Sequence, residues 1–323
     1  MSQEKNSRPA LDADCAALIE KMTAAGGIFE KPDHLQMRAA YAKTNEIYNP
    51  PPRQMRRVED GFVPGDGGDQ PSVPVRIYHP DHATDPAPGL VFLHGGGWVL
   101  GDVESHDALC RTLAVRSDAV VVSVDYRLAP EHPFPAAVED CEHAWRYVHA
   151  NASEYGIDPA RIAMGGDSAG GNLTAAVCRR LRDAGAPMPV MQLLIYPAVD
   201  FTARGGSLDE NATGYVLTKE RIEAMAEMYL QDRKNYASPD ASPLLAEDLS
   251  GLPPALVQVA GYDPLRDEGL AYAGALREAG VAVELIEYPT VVHGFMRMIR
   301  PVAMAQVGID DAAAGLRRAF RSA

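Results

Sequence analysis

The chain of 323 residues is 46% hydrophobic and carries a formal net charge of −14. This size and apolar content allow one large domain with a well-buried core, or one domain with a small accessory part. The acidic balance argues against the concentrated basic patch that nucleic-acid binding needs, and against an anionic membrane surface.

Neither an export signal nor a membrane span is visible. The first residues mix charges without an apolar core of signal-peptide length, and the longest apolar runs are too short to cross a bilayer. We therefore expect a soluble, cytoplasmic protein with no nucleic-acid or membrane partner. The four cysteines show no C-x-x-C spacing, which argues against a zinc knuckle or redox pair and predicts buried free thiols.

The chain starts with helical patterning. Apolar residues recur at helical spacing from Leu11 to Met22, and the pattern continues over 35–48. The proline run at 50–52 then ends these helices and acts as a stiff linker. We expect residues 1–48 to form N-terminal cap helices.

Strand-like and helix-like runs alternate through the rest of the chain. Several strand-like runs are apolar almost throughout, as strands covered on both faces should be. The predicted strands lie at 53–63, 73–78, 89–93, 119–125, 161–164, 190–196, 255–259 and 281–288, and the predicted helices at 135–150, 170–184, 267–279 and 302–320. This order predicts an α/β protein with an open, mostly parallel eight-stranded sheet flanked by helices, its first strands antiparallel.

One segment interrupts the alternation. Residues 201–236, with helical spacing over 220–230, look like an insertion above the sheet. We expect this cap insertion to form a lid together with residues 1–48. Residues 49–200 and 237–323 would then make up the main α/β domain, which binds ligands at the carboxyl ends of its strands.

The stretch GDSAGGN, at 166–172, places Ser168 between glycines directly after a predicted strand. A phosphate-binding loop needs Lys and Ser/Thr where this chain has Gly171 and Asn172. The pattern that fits is G-x-S-x-G, the sharp strand-to-helix turn that exposes a nucleophilic serine. Gly166 and Gly170 would leave room at this turn, because side chains there would collide with neighbouring backbone.

A serine nucleophile needs a base, and the base needs a carboxylate that orients it. Of nine histidines, His293 is the only one after Ser168, in a loop that follows the last predicted strand. Three carboxylates compete for the third role: Asp263, Asp267 and Asp200. We favour Asp263, since a loop carboxylate can reach His293, whereas Asp267 could already be engaged in capping the next helix.

A glycine run, HGGGW at 94–98, follows a buried predicted strand. Bare glycine backbone lets N–H groups approach a substrate oxygen closely, so this run is the candidate for oxyanion stabilisation.

Five motifs in this order resemble the hormone-sensitive-lipase-like family of bacterial carboxylesterases: HGGGW, DYRLAPEHPFPA at 125–136, GDSAGGN, DPLRDEG at 263–269 and HGF at 293–295. The resemblance covers roughly residue 50 to the end of the chain. It implies an α/β-hydrolase fold with a helical cap, and a structural role for His94. It also implies the nucleophile Ser168, the base His293, the acid Asp263 and an oxyanion hole formed by the N–H groups of Gly96, Gly97 and Ala169.

The resulting hypothesis is ester hydrolysis through an acyl-enzyme, with no metal and no cofactor. We expect short to medium acyl chains, acetyl to about octanoyl, bound by Trp98, Tyr215 and Leu217. An amidase or lactone hydrolase would use the same triad and stays open. A receptor on this fold is disfavoured because the gibberellin receptor lacks the histidine that this chain has, and a true lipase would need a large apolar entrance. A homodimer, common in relatives, also stays open.

Overall fold

A computed structural model describes residues 8–24 and 33–323. In this part of the chain ten α-helices and eight strands follow one another, with short 3₁₀ turns at Ala152–Tyr155, Arg233–Ala237, Pro243–Leu245 and Phe295–Arg297. The elements are α1 Ala13–Ala24, α2 His34–Lys43, α3 Asn45–Tyr48, β1 Arg57–Val63, β2 Val73–His79, β3 Ala87–Leu93, α4 Asp107–Ser117, β4 Val120–Val124, α5 Ala136–Ala150, β5 Ile157–Asp167, α6 Ala169–Asp183, β6 Gln192–Ile195, α7 Ser207–Glu210, α8 Lys219–Leu230, β7 Ala255–Tyr262, α9 Arg266–Glu278, β8 Val283–Val292 and α10 Met304–Ser322.

All eight strands form one sheet in the order β1-β2-β4-β3-β5-β6-β7-β8. Strand β2 runs antiparallel to both neighbours, and the remaining pairs are parallel. The predicted mostly parallel eight-stranded sheet is thus confirmed. In the centre Leu93 of β3 pairs with Gly166 of β5, and Asp167 of β5 pairs with Ile195 of β6, so three carboxyl ends meet at one edge.

Two apolar layers cover the two faces of the sheet. Alternate residues of one strand point to opposite layers: Leu90 and Phe92 join the layer formed with α1, α4 and α10, while Val91 and Leu93 join the layer formed with α5, α6 and α9. Strands buried on both faces explain why β3 and β4 consist almost wholly of apolar residues. The burial of these layers is the main favourable contribution to the fold.

Helix α4 was not predicted. It places Leu109, Cys110 and Leu113 against the sheet at helical spacing, so its periodic signal is present. Its ends lack the usual signals, however, because His106 makes no side-chain cap and Asp118, not glycine, adopts the left-handed conformation after the last turn.

The helical segments predicted within residues 1–48 and 201–236 are present where the structure describes them. Helices α1 to α3 occupy the N-terminal region and α8 occupies the insertion. Of the range 1–48 assigned to the cap, residues 1–7 and 25–32 lie outside the described residues.

Three further features concern the described residues only. All four cysteines are free and buried. Across 8–24 and 33–323, no three His, Cys, Asp or Glu side chains are grouped as a metal site requires. Over the same ranges, no helix combines the length and the apolar character that crossing a membrane takes.

Candidate active site

Ser168 occupies the turn between β5 and α6. Its backbone has φ 55° and ψ −115°, a conformation that non-glycine residues rarely adopt. A Cβ atom on either Gly166 or Gly170 would overlap the carbonyl oxygen of Leu93. The expectation that glycines make room at this turn is confirmed, and the neighbouring backbone holds the strained serine in place.

The turn points the Ser168 hydroxyl at His293, which follows directly on β8. His293 Nε2 lies 2.9 Å from Ser168 Oγ, and Nδ1 lies 2.7 Å from Asp263 Oδ2. Asp263 follows directly on β7 and is fully buried, and its other oxygen accepts the N–H of Leu265 at 2.8 Å. The structure therefore brings together the three side chains that the sequence singled out.

The two rival carboxylates do not reach His293. Asp267 accepts the backbone N–H of Ser207 at 2.8 Å and pairs with Arg266 at 2.8 Å. Asp267 thus caps a helix as expected, but the helix is α7, which begins at Ser207, and not α9, in which Asp267 lies. Asp200 accepts the N–H and the hydroxyl of Thr202 at 2.7 and 2.6 Å.

Free backbone N–H groups lie beside the serine. Gly96 and Gly97 have φ of 130° and 61°, and a side chain on Gly96 would overlap the carbonyl of Leu100. Within the described residues the N–H groups of Gly96, Gly97 and Ala169 have no acceptor. Ala169 opens α6, whose N-terminus favours negative charge nearby.

Asp167 joins the glycine run to the serine turn. One of its oxygens accepts the N–H of Gly95 at 2.9 Å and lies 3.1 Å from His106 Nε2. Burial alone would raise the pKa of Asp167, but the charge and hydrogen bond of His106, with the Gly95 N–H, hold that pKa below its ordinary value. A charged carboxylate at this point fixes the distance between the two loops.

His94 is buried in the same loop. Burial, reinforced by nearby His106, lowers the pKa of His94 to about 4, so its ring is neutral near pH 7. The ring stacks on Tyr126 at 4.2 Å between centroids, and the Tyr126 hydroxyl donates to the His94 carbonyl at 2.6 Å. These contacts agree with the structural role that the family resemblance implied for His94.

Comparison with known proteins identifies the family to which this chain belongs. A family model described as the alpha/beta hydrolase fold matches residues 90–297. The chain belongs to this α/β-hydrolase family. It is 49% identical over 266 residues to the carboxylic ester hydrolase LipN of Mycobacterium tuberculosis, an alignment that covers 80% of this chain and 70% of that protein.

Two further relatives cover nearly the whole of this α/β hydrolase. Carboxylesterase NlhH of Mycobacterium tuberculosis is 39% identical over 330 aligned residues, covering 100% of both proteins. The solved structure of a hyperthermophilic esterase from the archaeon Pyrobaculum calidifontis has a TM-score of 0.90 at 39% identity, covering 96% of this chain and 99% of that one. The predicted resemblance to hormone-sensitive-lipase-like carboxylesterases is confirmed.

Two cavities of this α/β hydrolase meet at Ser168. The smaller, of about 320 Å³, is lined by Trp98, Phe201 and Leu217 among others. The larger, of about 820 Å³, is also lined by Leu217, and His293 borders this cavity but not the smaller one.

Of the three predicted substrate-binding residues, two line a cavity and one does not. Trp98 and Leu217 line the space next to the serine. Tyr215 lines neither cavity; its ring packs edge-on against Tyr262, with centroids 5.3 Å apart. The structure therefore gives no support to Tyr215 as a substrate-binding residue, because its ring packs on Tyr262 and borders neither cavity.

The site also includes Glu268, His106 and Tyr196, which the sequence analysis does not predict. The ring of Tyr196 packs on His293 at 4.8 Å. No periodic pattern marks Tyr196 or His106, since their partners are far away in sequence. Glu268 stands inside the DPLRDEG motif, so the motif was its available signal.

Glu268 lines the smaller cavity and accepts the backbone N–H groups of Val199 and Asp200 at 2.6 and 3.3 Å. Burial raises its pKa from 4.5 to about 8, and the nearby charges of Asp200 and Asp263 add to this effect. Between pH 4.5 and about pH 8, Glu268 in the folded protein keeps a proton that it has lost in the unfolded chain. Stability should therefore fall as pH rises, by about 1.4 kcal/mol per pH unit.

Glu268→Gln should remove this dependence, because glutamine keeps the accepting oxygen and does not ionise. Measured by chemical denaturation, the wild type should lose about 2 kcal/mol of unfolding free energy between pH 6 and 8 relative to the variant. Glu278→Gln, on the exposed side of the same helix, is the matched control and should follow the wild type. Equal pH slopes for wild type and Glu268→Gln would contradict the assignment.

Proposed function

We propose that this α/β hydrolase is a serine carboxylesterase acting on small-molecule esters with short to medium acyl chains. The observation that carries the proposal is the continuous hydrogen-bonded chain from the Ser168 hydroxyl through His293 to buried Asp263. The relatives named carboxylic ester hydrolase, carboxylesterase and esterase support the reaction class.

In the first step Ser168 Oγ attacks the ester carbonyl carbon and passes its proton to His293 Nε2. Asp263 accepts the hydrogen bond of Nδ1–H and stabilises the imidazolium that forms. The N–H groups of Gly96, Gly97 and Ala169 receive the negative charge that develops on the carbonyl oxygen. Each such donor typically contributes about 3 kcal/mol to the transition state.

In the second step the tetrahedral intermediate collapses, and the alcohol leaves with the proton from His293 Nε2. The acyl group stays on Ser168 Oγ. A water molecule then loses a proton to His293 and attacks the acyl carbon. The bond between that carbon and Ser168 Oγ breaks, Oγ takes the proton back from His293, and the acid is released. This sequence uses only side chains and amides of the chain itself.

We assign the acyl and alcohol portions of the ester to different cavities. Because the leaving alcohol must take its proton from His293, it belongs in the larger cavity, which His293 borders. The acyl chain then occupies the smaller cavity beside Trp98, Phe201 and Leu217. Its limited volume supports the preference for acetyl to about octanoyl chains.

The cap assignment is part of the proposal. Tyr41 and Tyr48, from the N-terminal region, and Met225, from the insertion, line the larger cavity. Residues 1–48 and 201–236 would thus cover a site built on 49–200 and 237–323, and exclude water during acyl transfer.

A series of p-nitrophenyl esters from acetyl to palmitoyl tests the acyl preference through kcat/KM. We expect the maximum between acetyl and octanoyl. Phe201→Ala should move it to longer chains, with about a fourfold gain for each methylene that the enlarged cavity buries. Phe62→Ala, at an exposed position of β1, removes the same ring away from the site and should leave the profile unchanged.

The reaction class has its own test. A fluorophosphonate probe, which forms a bond with activated serines, should label the purified protein. Absence of labelling, a maximum at palmitoyl, or higher kcat/KM for matched amides or lactones than for esters would each contradict a short-chain carboxylesterase.

A further inference from the structure

Two arginines border the larger cavity. Arg221, on α8, is partly buried, and Arg297, in the short turn after β8, is only 6% exposed. Within the described residues, no carboxylate oxygen lies within 4.0 Å of either guanidinium. Arginines beside an enzyme cavity without close carboxylate partners are available to an anionic ligand.

Arg221 has the greater unused capacity. Of its five guanidinium N–H donors, one makes a hydrogen bond to a residue that the structure describes, at 3.3 Å from Nη1 to the carbonyl of Val216. Burial lowers the pKa of Arg221, partly offset by Tyr41 and Tyr48, yet a guanidinium stays charged in proteins. A desolvated positive charge is therefore held at the cavity wall, and no residue of 8–24 or 33–323 accepts from most of its donors.

Arg297 is held more firmly. Its Nε donates to the Ser105 carbonyl at 3.2 Å, and Nη2 donates to Thr44 Oγ1 and Asn45 Oδ1, both at 3.3 Å. Its guanidinium lies 4.1 Å from the ring centroid of Tyr41. These contacts hold the guanidinium in place, and among the residues that the structure describes Nη1 has no acceptor.

Acidic groups on the same walls do not cancel this charge. The charge of Arg297 helps to lower the pKa of Asp167, but the hydrogen-bond partners of that carboxylate are Gly95 and His106. The other carboxylates bordering the cavity, Glu220, Glu223 and Glu227 of α8, are exposed. Water and salt screen exposed carboxylates more strongly than a partly buried arginine.

We propose that the larger cavity selects esters whose alcohol portion carries a carboxylate, with Arg221 as its main contact and Arg297 beside it. The inference rests on the proposed esterase function and on the placement of the alcohol in this cavity. A planar guanidinium matches a carboxylate with two parallel hydrogen bonds. The remaining walls hold the body of the alcohol through flexible apolar side chains: Met22, Met37, Met225, Met228 and Met298.

The test compares two acetate esters of similar shape, 4-acetoxybenzoate and 4-acetoxybenzamide. Their leaving groups differ chiefly in charge, so the ratio of their kcat/KM values reports recognition of the carboxylate. Arg221→Gln should lower this ratio about ten- to a hundredfold, mainly through KM, and Arg221→Lys should keep part of it. The control Arg321→Gln removes an equal charge from the exposed end of α10 and should preserve the ratio.

A ratio in Arg221→Gln equal to that of the wild type would overturn the inference. If Arg221→Gln fails to fold, the binding of 4-hydroxybenzoate and 4-hydroxybenzamide to the Ser168→Ala variant decides: equal Kd values for the two also overturn it. Failure of the proposed function would look different, because Ser168→Ala would then cleave both esters at the wild-type rate.

Discussion

Ser168→Ala should lower kcat/KM for p-nitrophenyl acetate by about 10⁴- to 10⁶-fold. Alanine removes the oxygen that must bond to the acyl carbon, so the two-step route through an acyl-enzyme closes. The amides of Gly96, Gly97 and Ala169 remain and can still polarise a bound ester, which explains why residual turnover above the uncatalysed rate is expected.

Steady-state kinetics measure this loss, and thermal unfolding tests whether the fold is kept. The folded state should persist, because the positive φ of residue 168 is imposed by the strand, helix and glycines around it. Ser250→Ala, at an exposed position, is the matched control and should show wild-type kinetics. Turnover by Ser168→Ala within tenfold of the wild type would rule out Ser168 as the nucleophile.

Sequence patterns were sufficient for the sheet and for the serine turn because both depend on local constraints. Strands buried on two faces must be apolar along their length, as β3 and β4 are. Gly166 and Gly170 stand within two residues of Ser168, so the turn shows in a short motif although the backbone that crowds both glycines, the Leu93 carbonyl, belongs to the adjacent strand. Such features leave a signature in neighbouring letters of the sequence.

The remainder of the site depends on contacts between distant parts of the chain. Asp167 pairs with His106, 61 positions earlier in the numbering, and Asp267, besides its ion pair with Arg266, accepts the N–H of Ser207 on another helix. The ring of Tyr215 packs on that of Tyr262, which lies in β7. Nothing in a local pattern encodes such pairings, so the position of Tyr215 in the predicted cap insertion suggested a place in the pocket that its packing does not support.

Asp263→Asn should lower kcat for p-nitrophenyl acetate by about 10⁴-fold. The Leu265 N–H donates to Oδ1 of Asp263, so an asparagine would place its oxygen there and turn its NH₂ group toward His293 Nδ1. Nδ1 would then have to accept, and the ring proton would move to Nε2. An Nε2 that carries a proton cannot take one from Ser168, and no carboxylate would stabilise the imidazolium.

The same substitution at the rival positions separates catalysis from structure. Asp267→Asn weakens the ion pair with Arg266, and Asp200→Asn alters the turn at Thr202. Both should cost stability, seen as a lower Tm, while kcat changes by less than about tenfold, because neither carboxylate touches His293. Only the carboxylate that fixes the His293 tautomer can produce a loss in kcat of about 10⁴-fold. If Asp267→Asn or Asp200→Asn lowered kcat as much as Asp263→Asn, that residue would have to be assigned as the carboxylate that orients His293.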